Sequence, residues 1–266
     1  MKIKYAFAAA LLVVAFAPFS EPSASAAVPR DASPSPSPES RILQARNRLQ
    51  EGWDDWNAET MREARDQILG LLLQAGPKNA DLLYYAGLSE YRLTVHAFST
   101  GETNEAGAAL GRAKKYFEDL MELRPGWSEP YALQATLLGF DIALNPSLGM
   151  ELGMKTMNLF SRAERQEPEN PRVRYLKAAS LLYWPPEFGG GADNALPLLQ
   201  SAVELFDKDK STDPIKPSWG KEEALTMLAG IFKQKGEKDR ALACLTEALA
   251  ANPRYGLARR MLQELQ

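Results

Sequence analysis

The sequence predicts an all-α protein, an α–α superhelix of about four helical hairpins closed at each end by a capping helix. Three observations predict it. Between Glu222 and Pro253, Leu225, Leu228, Ala229 and Phe232 fall on a first helix, and Ala241, Leu245 and Ala248 on a second, with Gly236 at the turn and Pro253 at the stop. The same +4 and +3 steps recur upstream, as at Ala195, Leu199 and Ala202. From Arg41 onward roughly 225 residues remain, enough for one elongated core and leaving no room for a second fold. The spacing has a physical cause: two helices approach closely only where small residues occupy their crossing, so the alanines mark contact points and the larger side chains fill the space between.

At the N-terminal end, Lys2 and Lys4 precede an apolar stretch from Ala6 to Phe19, and Ala24-Ser25-Ala26 offers a small-x-small cleavage site. Together they predict a secretory signal peptide over residues 1–26. The stretch is too short to favour a membrane span, and with no cysteine beside the cleavage site it lacks a lipoprotein signal. The chain is therefore expected to be periplasmic or secreted, with no stable membrane span after signal cleavage. Residues 27–40, with prolines at 29, 34, 36 and 38 alternating largely with serine, read as a disordered, extended tether.

The repeat domain is expected over 41–266. A leading helix near Arg41 to Gln50 precedes a half-repeat marked by Ala64, Ile68 and Leu71. The first full pair joins Leu83, Ala86 and Gly87 to Ala113, Phe117 and Leu120, with Pro125 as its stop. The second joins Tyr131, Ala135 and Leu138 to Thr156, Phe160 and Ala163 through a long connection at Asn145-Pro146-Ser147, and stops at Pro168. In the third, Tyr175, Ala178, Ala179 and Leu182 lead through the loop Trp184 to Gly191 into the helix of Ala195, Leu199 and Ala202. After the fourth pair, a trailing helix from Tyr255 to Leu265 carries Leu257, Met261 and Leu265 at four-residue steps, as expected of an end helix that covers exposed core.

Composition excludes more than it suggests. The formal net charge is -3, and removing Lys2, Lys4 and Glu21 with the signal leaves about -4, which does not favour nucleic acid. The single cysteine, Cys244, has no partner for an internal disulfide and is expected as a half-buried, inert thiol. His96, the one histidine, lies in a different repeat and is expected as a polar side chain at a helix end, so a Cys/His metal site or thiol catalysis lacks its parts. Carboxylates such as Glu222 and Glu223, beside Lys221, read as a solvated face. Asp207 to Ser211 begins like a calcium loop but has Thr212 and Ser218 where glycine and glutamate are needed, and is expected as a solvated linker. Gly189-Gly190-Gly191 has no preceding strand and no Lys-Ser or Lys-Thr after it; it reads as a tight reversal, with Asp193 favoured early in the next helix. No metal site, cofactor or catalytic set is expected.

The unit from Glu222 to Pro253 resembles a tetratricopeptide repeat (TPR), a pattern of roughly 34 residues. The block Asn170 to Val173, Pro186, Phe188 to Gly190 and Ala195, continuing to Pro217-Ser218-Trp219-Gly220, resembles an exported bacterial group of TPR proteins of otherwise unassigned function. The resemblance implies a right-handed array whose concave surface holds partner peptides and which has no enzymatic activity. The two enlarged loops, and Leu120 where alanine is usual, depart from the regular pattern. The register of such repeats turns Tyr84, Tyr91 and Arg92 of the first pair, Thr136 and Phe140 of the second, Ser180, Tyr183 and Trp184 of the third, and Glu223, Thr226, Gly230, Lys233 and Gln234 of the last toward the groove. Tyr183, Trp184 and Phe140 have a second expected location, packed under the two long loops.

Two functions follow from this reading. The first is a non-enzymatic scaffold that binds a protein or peptide in the bacterial cell envelope, recognised by an open row of aromatics with polar neighbours. The second is a small-molecule binding component of an envelope transport system, recognised by an enclosed cavity, expected under the Trp184 to Gly191 loop. A catalytic role requires a cluster of buried titratable groups, which the sequence does not reveal.

Overall fold

The computed structural model describes residues 37–209 and 211–266; the expected signal peptide, the linker up to residue 36, and Lys210 lie outside the described residues. Through the described residues run eleven α-helices: α1 Pro38–Asp54, α2 Ala58–Ala75, α3 Ala80–Ser99, α4 Thr103–Leu123, α5 Ser128–Leu144, α6 Gly149–Gln166, α7 Pro171–Leu181, α8 Ala192–Lys208, α9 Lys221–Gln234, α10 Lys238–Ala251 and α11 Gly256–Leu265. Short 3-10 turns at Pro146–Leu148 and Pro186–Phe188 take up the two enlarged connections. There is no strand among the described residues.

Several helices begin where a side chain can accept from their unpaired first amides. Ser37 accepts from the Ser40 amide at 3.1 Å, Asn57 from Thr60 at 3.1 Å and Asn79 from Leu82 at 3.0 Å. Asn170 accepts from both Arg172 and Val173, at 3.0 and 3.3 Å. Pro38 stands at the first position of α1, where its missing N–H costs nothing. Residues 38–40, assigned from the sequence to the tether, are thus the first turn of a helix.

Consecutive helices pack as hairpins, α1 with α2, α3 with α4, α5 with α6, α7 with α8 and α9 with α10, and α11 closes the end. The leading helix and half-repeat are together a fifth hairpin, because Ala45, Leu49 and Trp53 of α1 are buried with Met61, Ala64 and Ile68 of α2 in one core. The crossings are where the spacing placed them: Ala113, Ala163, Ala202, Ala241 and Ala248 have 0% exposure. At the α3–α4 crossing even alanine is too large, since a Cβ on Gly87 would lie 2.7 Å from the Phe117 ring. The face of α11 is rotated from expectation: Ala258 is buried, Met261, Leu262 and Leu265 pack against the core, and Leu257 is exposed.

Odd-numbered helices form an inner layer, with α1 against α3, α3 against α5 and α5 against α7. That layer curves back on itself. A Cβ on Gly256 would lie 2.7 Å from the carbonyl oxygen of Asp54, and Arg254 pairs with Asp55 at 2.7 Å, so the end of α1 touches the start of α11. The described residues of Asp207 to Ser211 are exposed, as expected of a solvated segment, but Asp207 and Lys208 complete α8 rather than forming a linker, and from 211 to 220 the chain crosses the inner face as a loop before entering α9. Carbonyls of this loop accept from three inner helices, Pro214 from Arg46 of α1, Ile215 from the Tyr85 hydroxyl of α3 at 2.5 Å, and Pro217 from Arg172 of α7.

Candidate functional site

Where α1 meets α9 and α10, three carboxylates and one guanidinium are buried together. Asp54, Glu222, Glu223 and Arg92 are each at most 6% exposed. Gln50 Nε2 donates to Asp54 Oδ1 at 2.8 Å and to Glu222 Oε1 at 3.3 Å, and Asn252 Nδ2 donates to the same two oxygens at 2.9 and 3.4 Å. Two shared amide donors therefore hold the carboxylates side by side. Burial raises the pKa of both above the ordinary carboxylate range, against the lowering effect of those donors. Arg92 donates to Gln50 Oε1 at 2.8 Å and lies over the indoles of Trp53 and Trp219, 5.1 and 6.0 Å from their centres.

Glu223 is the most perturbed of the group. Its Oε1 accepts from Trp53 Nε1 at 2.7 Å and stands 3.7 Å from Arg92, while its Oε2 is buried without a partner. Burial, reinforced by the adjacent Glu222, pushes its pKa up to about 8 despite Arg92. It is mainly uncharged at neutral pH, as burial of a carboxylate in excess over its counter-ion requires.

A second network continues from Trp219. The Trp219 Nε1 donates to the Tyr84 hydroxyl at 2.9 Å, which donates to Glu129 Oε2 at 2.5 Å. Glu129 faces Arg172 at 3.5 Å, and Arg172 also pairs with Asp209 at 3.1 Å. Burial alone would depress the Arg172 guanidinium, but Glu129, Tyr84 and Asp209 hold it above its ordinary value. Tyr84 is stacked on Trp127, ring centres 4.8 Å apart, with the loop before α9 over it.

Between these networks lies a cavity of about 250 Å³, walled by Arg46, Gln50 and Asp54 of α1, Arg92 of α3, Trp219 of the loop and Glu222 of α9. Arg46, Gln50 and Asp54 reach it together because residues four apart share a helix face. Asn47 and Ser218, both exposed, line its rim.

The residues expected in an open groove do not form one. Tyr84, Tyr91 and Arg92 are buried, at 0%, 8% and 2% exposure; Trp219 of the loop 211–220 covers Tyr84, and α1 covers Arg92. Glu223 and Thr226 are likewise buried. Thr136 is half-buried and donates to the Ala132 carbonyl of its own helix at 3.0 Å. Phe140 packs edge-on against Phe98 of α3 at 5.2 Å, and Trp184 lies against Phe160 at 6.4 Å beneath its own loop, the second location expected for Trp184. That loop is tight enough that a Cβ on Gly190 would sit 1.8 Å from the Trp184 carbonyl oxygen, and the cavity is not under it. Tyr183 is 52% exposed, Lys233 pairs with Glu264 of α11 at 2.8 Å, and Gln234 is exposed. Arg92 is thus the one expected groove residue that lines the cavity.

Sequence reasoning missed Gln50, Asp54, Trp219, Glu222 and Asn252, and read Glu222 and Glu223 as solvated. A signal was present: Leu225, Thr226 and Met227, the helical neighbours three and four residues after them, offer no lysine or arginine. The cluster of buried titratable groups that the sequence did not reveal therefore exists, built from three separate segments. His96 lies in the last turn of α3, 5.1 Å from Trp56, where burial lowers its pKa, and Cys244 is half-buried with its thiol raised by burial; neither lines the cavity.

No protein-family model matches the chain, and no curated protein matches it. Among solved structures, the HusA haemophore from Porphyromonas gingivalis is similar with a TM-score of 0.55 at 22% identity, over 73% of this chain and 90% of that one. TTC0263, a thermophilic TPR protein in Thermus thermophilus, is similar with a TM-score of 0.52 at 17% identity, over 83% of this chain and 98% of that one. The chain has a TPR-like α–α superhelix.

Proposed function

We propose that the chain is an exported, non-enzymatic binding protein that holds a small polar ligand in the cavity between its first and last hairpins. The observation that carries this reading is the inner face itself: Tyr84 and Tyr85 are buried beneath the loop 211–220, and the space left beside α1 is a half-open polar cavity of about 250 Å³. Sites for drug-sized ligands occupy about 300–1,000 Å³ and are mostly apolar, so this one suits something smaller and more polar. HusA is named a haemophore, which supports a small-molecule role for such a superhelix, but this cavity is too small and too charged for a porphyrin. A non-enzymatic role is supported by the state of the carboxylates at the wall, which are engaged by Gln50 and Asn252, and by the distance of His96 and Cys244 from them. Export rests on the signal-like residues 1–26.

A second reading, a scaffold for a protein or peptide, is favoured by one observation. The inner helices already hold polypeptide through backbone carbonyls, those of Pro214, Ile215 and Pro217, and a partner segment that displaced the loop would meet the same Arg46, Tyr85 and Arg172.

Native mass spectrometry of the chain recovered from the cell envelope separates the two. The expected result is a small co-purifying molecule, released on unfolding and absent from a Ser218→Phe variant that fills the cavity from its rim. Recovery of a bound protein or peptide instead, undiminished by Ser218→Phe, would favour the second reading. Accumulation of the chain in the cytoplasm with its N-terminal segment intact would refute export.

A further inference from the structure

We propose that the ligand is a zwitterion of amino-acid or dipeptide size, its anionic end toward Arg46 and its cationic end toward Asp54 and Glu222. This rests on the small-ligand reading above and gives its site a chemistry. The two ends of the cavity carry opposite charge. Arg46 and Asp54 stand eight residues apart on one face of α1, which at 1.5 Å per residue separates their backbones by about 12 Å, with Gln50 between. Across from them stand Arg92 and Glu222. The four lining charges cancel, so a ligand with net charge would bury an uncompensated charge, whereas a dipolar one would not.

Each end also has unused valence. Gln50 and Asn252 direct their donors to Asp54 Oδ1 and Glu222 Oε1, Asp54 Oδ2 takes no side-chain hydrogen bond among the described residues, and the Glu222 carboxylate accepts otherwise only from its own backbone amide. Arg92 offsets only part of that end: its guanidinium, turned to Gln50 Oε1, the Leu49 carbonyl and Glu223, is one positive charge against the two carboxylates Asp54 and Glu222. An ammonium group placed there gains two carboxylate acceptors and the nearby face of Trp219. At the other end Arg46 gives three of its five N–H groups to Asn47 Oδ1 and the Pro214 carbonyl, and with the Tyr85 hydroxyl also in reach it keeps at least one for a carboxylate. The volume sets the size. At about 30 Å³ of liquid per water, the cavity has room for roughly eight waters, the bulk of an amino acid or a small dipeptide.

The test is calorimetric titration of the full mature chain with the common amino acids and glycyl dipeptides. The best binder is then compared with its methyl ester, which keeps only the cation, and its N-acetyl form, which keeps only the anion. The expected result is binding of the parent with at least tenfold loss for either capped form. Arg46→Gln should abolish the discrimination against the ester, and Glu222→Gln that against the N-acetyl form. Arg46 is half-buried at the end of the cavity and tolerates replacement, so its variant keeps the test open if Glu222→Gln fails to fold. Equal binding of a capped form overturns the zwitterion while leaving the cavity as the site, as does failure of the whole panel when the native co-purifying molecule still binds. Binding of a zwitterion that Ser218→Phe does not weaken overturns both the class and the site.

Discussion

At Glu223 burial and pairing pull in opposite directions, and burial wins. Its carboxyl is pushed up to about 8 in the fold against an ordinary value of 4.5, because burial, reinforced by Glu222, outweighs the Arg92 guanidinium at 3.7 Å. The consequence for stability has a definite sign. Between about pH 4.5 and about pH 8 the folded chain keeps a proton that the unfolded chain has released, so stability falls as pH rises through that window and levels off above it, by up to about 1.4 kcal/mol per pH unit. Asp54 and Glu222, also raised by burial, contribute with the same sign from their ordinary values of 3.8 and 4.5 upward. Glu223→Gln removes the ionisation while leaving an oxygen to accept from Trp53. Urea unfolding from pH 5 to 8 is therefore expected to show a steeper decline for wild type than for the variant, whose slope is shallower but not flat. Parallel slopes would mean that Glu223 is ionised throughout.

Within the elements, the sequence is most legible where neighbours along the chain are neighbours in space. All seven apolar positions of the last repeat, from Leu225 to Ala248, are buried, and Gly236 takes a positive φ of 75° at the turn between α9 and α10. Such positions follow from the helical period and from the small residues that crossings demand. Ala248, with 0% exposure, has no room for a larger side chain. Ala248→Leu is expected to cost about 1 to 3 kcal/mol by overpacking and to lower the melting temperature by several degrees. An unchanged transition in calorimetry would mean that α9 and α10 cross elsewhere. The same reasoning could not see the inner face. Whether a concave surface is open depends on which remote segment lies on it, and Trp219 meets Tyr84 across 135 residues while Trp53 meets Glu223 across 170. No local spacing encodes such pairs. Tyr84 and Tyr91, which a regular register turns toward a groove, are therefore buried, whereas Tyr183 stays exposed.

Over the whole molecule, the seam between the first and last hairpins changes how stability is shared. In an open solenoid each repeat touches only its neighbours, so loosening one end leaves the other end as it was. Here Asn252, just past α10, donates to Asp54 of α1 and to Glu222 of α9, and Arg254 pairs with Asp55. Removing the Asn252 amide would deprive two buried carboxylates of a shared donor, a loss worth about 1 to 3 kcal/mol. Because the seam is contacted from both sides, that loss falls on α1 as much as on α10 and α11, some 200 residues away in sequence. Hydrogen exchange of Asn252→Ala is expected to show faster exchange in α1, α10 and α11 together, while α5 and α6, which do not touch the seam, exchange as in wild type. Faster exchange confined to residues near 252 would show that the ends only abut and that the array melts like an open one. Joint loosening would instead identify the seam as the element that keeps the polar cavity walled, since α1 supplies one side of it and α9 with the loop before it the other.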